Sequence, residues 1–451
     1  MSTESNSHGN HSAENGSSIH HAVQIDASFL SEVEGKMQEL PRLLSRSAGR
    51  DSCCIFRVPQ SLSEINEKAY QPHIVSIGPF HHGEPDFQMI QEHKWRFLSD
   101  LLLRAKSKGV VLEDFFKAVA RMEERIRKSY SKTLEFDGQD LIRMMVLDGC
   151  FIIELFCKVE RIVPADHEDP LFTMAWVLPF LMRDLLRLEN QIPYFVLQEL
   201  FDLSVGSGSH SLAKLALGFF NYMVQRPLHV LKKYYDKEGM HLLDLFRMSY
   251  IPDCQEEERR PSRFLRRIRC AKKLNQAGVR FKPRKTRSIL DIKFKNGVLE
   301  IPVLTIDDFW SSLFLNFVAF EQCYSHSTKY ITTYATLMGC LINTPADAGF
   351  LDDHKIIENY FGTDVEVARF FNNVGKDVVF DIRRSYLSKV FEEVNEYYQN
   401  EWHVRWAGFR HTYFNTPWSF VSAAAAVVLL LLTMIQSFYA IYAYQNPPKN
   451  H

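Results

Sequence analysis

Most of the strings by which a sequence announces its chemistry are missing from this one. No G-x-S-x-G, P-loop, G-x-G-x-x-G or H-E-x-x-H pattern occurs in its 451 residues, so serine-hydrolase, nucleotide, dinucleotide and zincin readings have no foothold. The eight cysteines, Cys53, Cys54, Cys150, Cys157, Cys254, Cys270, Cys323 and Cys340, show no C-x-x-C spacing. Adjacent Cys53 and Cys54 cannot easily bridge each other in a regular strand. They read as small buried hydrophobes in a reducing compartment rather than as disulfides or zinc ligands. The first ten residues, Met-Ser-Thr-Glu-Ser-Asn-Ser-His-Gly-Asn, have neither a basic nor an apolar stretch and do not form a secretory signal. Gly does not follow Met1 and no cysteine stands near the C-terminus, which argues against myristoylation and prenylation. Net charge is −1, so no global field calls for nucleic acid.

The longest absence is of charge. From His411 to Pro448 there is no Asp, Glu, Lys or Arg, and from Phe420 to Ala443 nearly every residue is apolar. A helix rises about 1.5 Å per residue, so roughly 20 residues cross a hydrocarbon core of about 30 Å. Residues 416–444 are therefore expected to form one transmembrane helix, with a short tail at 445–451. Trp418 and Phe420 mark its front, Leu430 its centre, and Phe438, Tyr439, Tyr442 and Tyr444 its rear, where amphipathic rings prefer headgroups. The runs around 144–156 and 309–320 are broken by polar residues and do not rival it. Only seven residues follow Tyr444, so the span is expected to insert as a tail anchor. Arg405 and Arg410 flank its front, with Arg383, Arg384 and Lys389 further back, and Lys449 alone flanks its rear. Lys and Arg favour the cytoplasmic side, which places the N-terminal body in the cytosol, at the plasma membrane or an endomembrane.

Residues 1–24 are rich in Ser, Asn, Gly and His and read as a disordered tail. Asn10 and Asn15 lie in formal glycosylation sequons. Residues 25–410 read as a helical domain. Phe87, Ile90, Trp95, Leu98, Leu101, Leu102 and Ala105 fall on one helical face, and Leu112 to Met122 repeat the pattern. Leu141 to Val159 is apolar nearly all round, as the centre of a bundle would be, with Asp148 and Glu154 needing partners. Further helical spacing covers 174–188, 194–203, 212–224, 309–324, 330–341 and 381–406. Extended residues Cys54 to Val58 stop at Pro59.

One stretch departs from this periodicity. Residues 289–303 alternate with period two around Asn296-Gly297, a strong β-hairpin signal. A two-residue type I′ turn pairs Phe294 with Leu299, Ile292 with Ile301 and Leu290 with Val303, and sets Lys293 opposite Glu300. The expected fold class is mainly α, a bundle-like multi-helix body with this one hairpin and the C-terminal helix.

Three groups invite chemistry. His73, His81, His82 and His93 with Glu84 and Glu92 resemble metal ligands, but adjacent His81 and His82 point apart in extended backbone and nothing makes them converge. Asp184, Glu189, Asn190 and Gln191 offer carboxylates for acid–base work, or equally buried polar caps bonded to Arg183 or Arg187. Residues 259–287 hold thirteen Lys or Arg and no acid, directly after Glu256-Glu-Glu258. That run, with Arg263, Arg266, Arg267, Arg269, Lys272 and Lys273 at its centre, reads as a surface linker at 255–287, as a patch for anionic lipid, or as a nucleic-acid or nuclear-import segment. The last is disfavoured because aromatics are not interleaved with the charges.

Several stretches together resemble the plant-specific domain of unknown function 247 family. They are Ile74-Val-Ser-Ile-Gly-Pro-Phe-His-His-Gly83 with Glu92-His-Lys-Trp-Arg96, Val146-Leu-Asp-Gly-Cys-Phe-Ile-Ile-Glu-Leu155, Asp184 to Pro193, Asp291 to Pro302, and Ala319-Phe-Glu-Gln-Cys-Tyr324. The resemblance runs from about Cys53 to the C-terminal span. It implies a land-plant protein with a single membrane segment and no established enzymatic activity. Some grass members are implicated in pollen-side self-incompatibility, which implies recognition of an unknown protein partner rather than catalysis. No catalytic, cofactor or metal residue is carried over. The alternatives left by the residues are an enzyme with its site near His81 and Asn190, and a basic lipid- or nucleic-acid-binding protein using 259–287.

Overall fold

The computed structural model describes residues 25–39, 41–64, 66–166, 168–206, 210–252, 267–286, 288–360, 362–376, 378–379, 381–400 and 417–445. The expected disordered tail, much of the basic run and the region just before the span lie outside them. The chain divides into a short unit ending at Arg42 and a body beginning at Leu43. The short unit contains one helix, Ala27–Gln38, capped by Asp26, whose carboxylate accepts the Phe29 N–H.

The body is mainly helical, as the periodicity predicts. Its centre is the helix Gly138–Val159, started by the Asp137 cap and buried from Met144 to Lys158. Around it pack Gln88–Ala105, Leu112–Ala120, Tyr194–Ser204 and Leu212–Val224. A second group, Asp308–Cys323, Tyr330–Leu341, Pro345–Asp353 and Asp364–Val374, completes the core. The buried acids on the central helix find partners: Asp148 pairs with Lys94, and Glu154 with Arg104.

That first pair corrects the assignment of a helical face. Trp95 is half exposed, at 51%, while the buried stripe of Gln88–Ala105 runs through Ile90, Lys94, Phe97, Leu98, Leu101 and Ala105. Lysine holds a core position because a carboxylate waits opposite it, and the tryptophan one residue on turns outward. Leu102 is only partly buried.

The hairpin forms in the expected register. Strand β2 (Lys293–Lys295) lies antiparallel to β3 (Val298–Pro302), with Phe294 opposite Leu299 and Lys293 opposite Glu300. Asn296 and Gly297 have φ of +52° and +71°, as a type I′ turn requires. Gly297 is needed twice, since a Cβ there would also stand 2.7 Å from the Tyr397 ring. The ladder is shorter than the alternation. Leu290 and Ile292 are buried but unpaired, and Val303 turns outward beyond Pro302, whose ring removes a donor. Strand β1 (Arg280–Arg284), which lies within the basic run, joins β3 in parallel and gives the sheet order β1-β3-β2. A separate parallel pair links β4 (Leu304–Ile306) to β5 (Ile357–Asn359).

Candidate functional site

The segment from His73 to Gly78 belongs to no helix or sheet, so its backbone needs other partners. Side chains from three distant motifs supply them. Asp184, the last residue of the helix Val177–Asp184, accepts the N–H groups of His73, Ile74 and Val75 at 2.8–3.2 Å. Asn190 accepts from the Ile77 N–H at 2.7 Å and donates to the carbonyls of Val75 and Asp184. Asp148 accepts from the Gly78 N–H, while the Lys94 ammonium donates to both Asp148 and the Ser76 carbonyl. Gly78 sits at φ +73°, and a Cβ there would meet the Gln191 carbonyl at 2.5 Å. Gln191 in turn donates to the carbonyls of Leu185 and Arg187 and accepts from the Leu243 N–H.

The polar residues of the Asp184–Pro193 stretch therefore act on the protein's own backbone. Arg187 supplies the countercharge to Asp184 at 3.2 Å. Glu189 accepts from the Val58 N–H at 2.7 Å and pairs with Arg57. Glu321, from the Ala319–Tyr324 stretch, does similar work: it pairs with Arg247 and accepts from the Ile331 and Thr332 N–H groups. A carboxylate whose lone pairs are filled by N–H donors holds geometry well and moves protons badly.

The four histidines go to separate partners. His73 lies against Asp184 and Arg187, His81 bonds Glu84, His93 meets Arg96, and the His82 ring rests on Phe136. Among the described residues no three His, Cys, Asp or Glu side chains gather as a metal would need. The seven described cysteines are unbridged, and Cys254 lies outside the described residues.

A fifth histidine, which no motif marks, is completely buried and held by two hydrogen bonds. His241 caps the helix Leu242–Met248: its Nδ1 accepts the Asp244 N–H, and its Nε2–H donates to the Cys54 carbonyl. That pattern uses the neutral ring, and complete burial holds its pKa down at about 4. The unfolded imidazole takes up a proton near pH 6.5, so between about 6.5 and 4 the unfolded chain holds the extra proton. Stability should fall as pH drops through that window, by up to about 3 kcal/mol. The check is the denaturant midpoint of the full chain at several pH values, with H241Q alongside. The variant should lose much of the slope; an unchanged slope would assign it to other groups.

The basic run acquires a shape. Arg263 and Arg266 lie outside the described residues. Arg267 and Arg269 precede the short helix Ala271–Gln276, which carries Lys272 and Lys273. Arg267, Arg269 and Lys273 line a cleft of about 300 Å³ together with Cys270, Thr336, Cys340, Asn343 and Asn372. Lys272 is exposed on the same helix but is not part of that lining. Gly339 and Gly375 also line the cleft, and a Cβ on Gly339 would meet the Phe371 carbonyl at 3.0 Å, so two helices approach closely there. The linker reading is thus incomplete: the end of the basic run is packed onto the body.

The C-terminal helix spans Pro417–Gln445. Its stretch Ala424–Tyr442 is 19 residues long with mean hydropathy 2.1, and none of it is buried. It is long and apolar enough to cross a membrane. Trp418, Phe420, Leu430, Tyr439 and Tyr442 all lie on it, and the side chains of Trp418, Leu430, Tyr439 and Tyr442 are exposed.

Comparison with known proteins meets the motifs on common ground. A UPF0481 protein of Arabidopsis thaliana is 44% identical over 434 residues, covering 91% of this chain and 91% of that protein. Another UPF0481 protein of the same plant is 23% identical over 492 aligned positions, covering 86% of this chain and 90% of its own length. No solved structure matches. Residues 55–432 match the family described as plant protein of unknown function, and the chain belongs to that family, DUF247.

Proposed function

We propose that this chain is a membrane-tethered recognition protein whose helical body faces the cytosol and works by binding a protein partner. The observation that carries the reading is the Pro417–Gln445 helix, which turns large apolar side chains outward along its described length. Left in water, that surface would be an aggregation liability; in a bilayer it is a tether. Support for binding over chemistry comes from Asp184, Glu189, Asn190 and Gln191, whose polar atoms hold the chain's own backbone. The body also leaves Trp95 and Trp176 exposed, and tryptophan is enriched among residues that anchor protein contacts.

The test begins with alkaline carbonate. The full chain should stay with the membrane pellet, and deletion of 417–445 should release a body that keeps its helical circular dichroism. Photo-crosslinkers placed at Trp95 and Trp176 in native membranes should then trap a discrete adduct. Release of the full chain by carbonate overturns the tether, and the absence of any discrete adduct overturns recognition through these faces.

A further inference from the structure

The cleft beside Ala271–Gln276 combines features that rarely coincide by accident. It is concave, about 300 Å³, at the small end of the ~300–1,000 Å³ usual for ligand sites. Three cations line it and no acid does. Among the described residues, the side chains of Arg267, Arg269 and Lys273 make no hydrogen bond or ion pair, whereas most arginines packed against this body do, as Arg57, Arg96, Arg104 and Arg247 show. The nearby carboxylate of Asp347 accepts from the Lys272 N–H and the Thr344 side chain and forms no ion pair with any of the three. Burial pushes the Cys270 and Cys340 thiols up, so they stay uncharged and leave the field positive. Asn343 and Asn372 also line the cleft, with the Asn372 amide donating to the Asn343 carbonyl at 3.2 Å.

We propose that this cleft binds a phosphate ester, with Arg267 and Arg269 gripping its oxygens, Lys273 adding charge, and Asn343 and Asn372 orienting it. Arginine's planar fork matches phosphate geometry, and a compact multiply charged group suits a small cleft better than an apolar ligand does. The proposal goes beyond the protein-recognition reading and rests on it only for the placing of the body at a membrane. The ester belongs either to a lipid headgroup in the bilayer that holds the span or to a soluble phosphorylated molecule.

The experiment uses the full chain in nanodiscs of neutral phosphatidylcholine, with inorganic pyrophosphate as one probe and nanodiscs containing phosphatidic acid as the other. Pyrophosphate should bind in the neutral discs, with affinity that weakens as salt rises. The triple variant R267Q, R269Q and K273Q should lose at least about tenfold in affinity. K282Q with K285Q, which removes two cations elsewhere on the same run, should change it by less than about twofold. The single variant K273Q, on an exposed helix position, serves if the triple variant misfolds and should still weaken binding. Protection by phosphatidic acid that depends on the same three residues assigns the site to a headgroup; pyrophosphate binding unaffected by phosphatidic acid assigns it to a soluble ester. Equal losses in the two sets of variants would reduce the cleft to a diffuse basic surface and overturn the proposal, as would failure of both probes. A chain that binds neither probe but still resists carbonate leaves the tether intact, so the two readings fail separately.

Discussion

D184A should cost the body about 3–5 kcal/mol, a large share of the 5–15 kcal/mol typical of a whole domain. Asp184 is fully buried and is the acceptor for three consecutive backbone N–H groups and for the Arg187 guanidinium, itself only 1% exposed. Alanine strands all of them. Each orphaned donor bears a desolvation cost that water cannot relieve, and the guanidinium loses its countercharge in the same step. D184N keeps one acceptor oxygen but turns an N–H₂ toward other donors, so it should fall between parent and alanine. Equilibrium denaturation of the full chain in detergent, followed by tryptophan fluorescence, reads the midpoint. Removing Lys117 from its exposed pair with Glu113 should leave that midpoint nearly where it was. A D184A midpoint equal to the parent's would mean that residues 73–78 are held by something else.

The same residue shows what a single sequence conveys. Leu-Glu-Asn-Gln-Ile-Pro at 188–193 reads as a set of buried polar caps because polar side chains end an apolar helix before a proline. What they hold is not local: Asp184 bonds Ile74 across 110 residues, and periodicity carries no information on such a pairing. Trp95 stands on the expected buried face in place of Lys94 for the same reason. A lysine on an apolar stripe looks like an error until Asp148, 54 residues on, meets it. The hairpin at Asn296-Gly297 is legible because turn and register lie within a few residues of one another. β1 is not, since a parallel partner needs no turn and only Phe281 of its residues is buried. The capping boxes at Thr344 and Asp347 and at Thr363 and Glu366 were available in the sequence and mark two helices that the apolar spacing alone passes over. The basic run is visible as composition, but its meeting with Asn343 and Asn372 exists only in the folded chain.

Translation of the chain with microsomes should leave Asn10 and Asn15 unglycosylated, while a sequon placed well beyond His451 should acquire a glycan. The expectation follows from charge on the two sides of the Pro417–Gln445 helix. Arg405 and Arg410 precede it, with Arg383, Arg384 and Lys389 behind them, and Lys449 alone follows. Cationic flanks stay on the cytoplasmic side, where anionic lipid and the membrane potential both favour them. R405E with R410E should weaken the bias and yield a mixed population, in which a fraction of chains becomes modified at Asn10 and Asn15. Glycans on those two asparagines in the parent chain would invert the topology. They would also move the proposed phosphate cleft away from the cytosol, where phosphorylated lipids and metabolites are chiefly met, so this one readout bears on where a ligand for Arg267, Arg269 and Lys273 is to be sought.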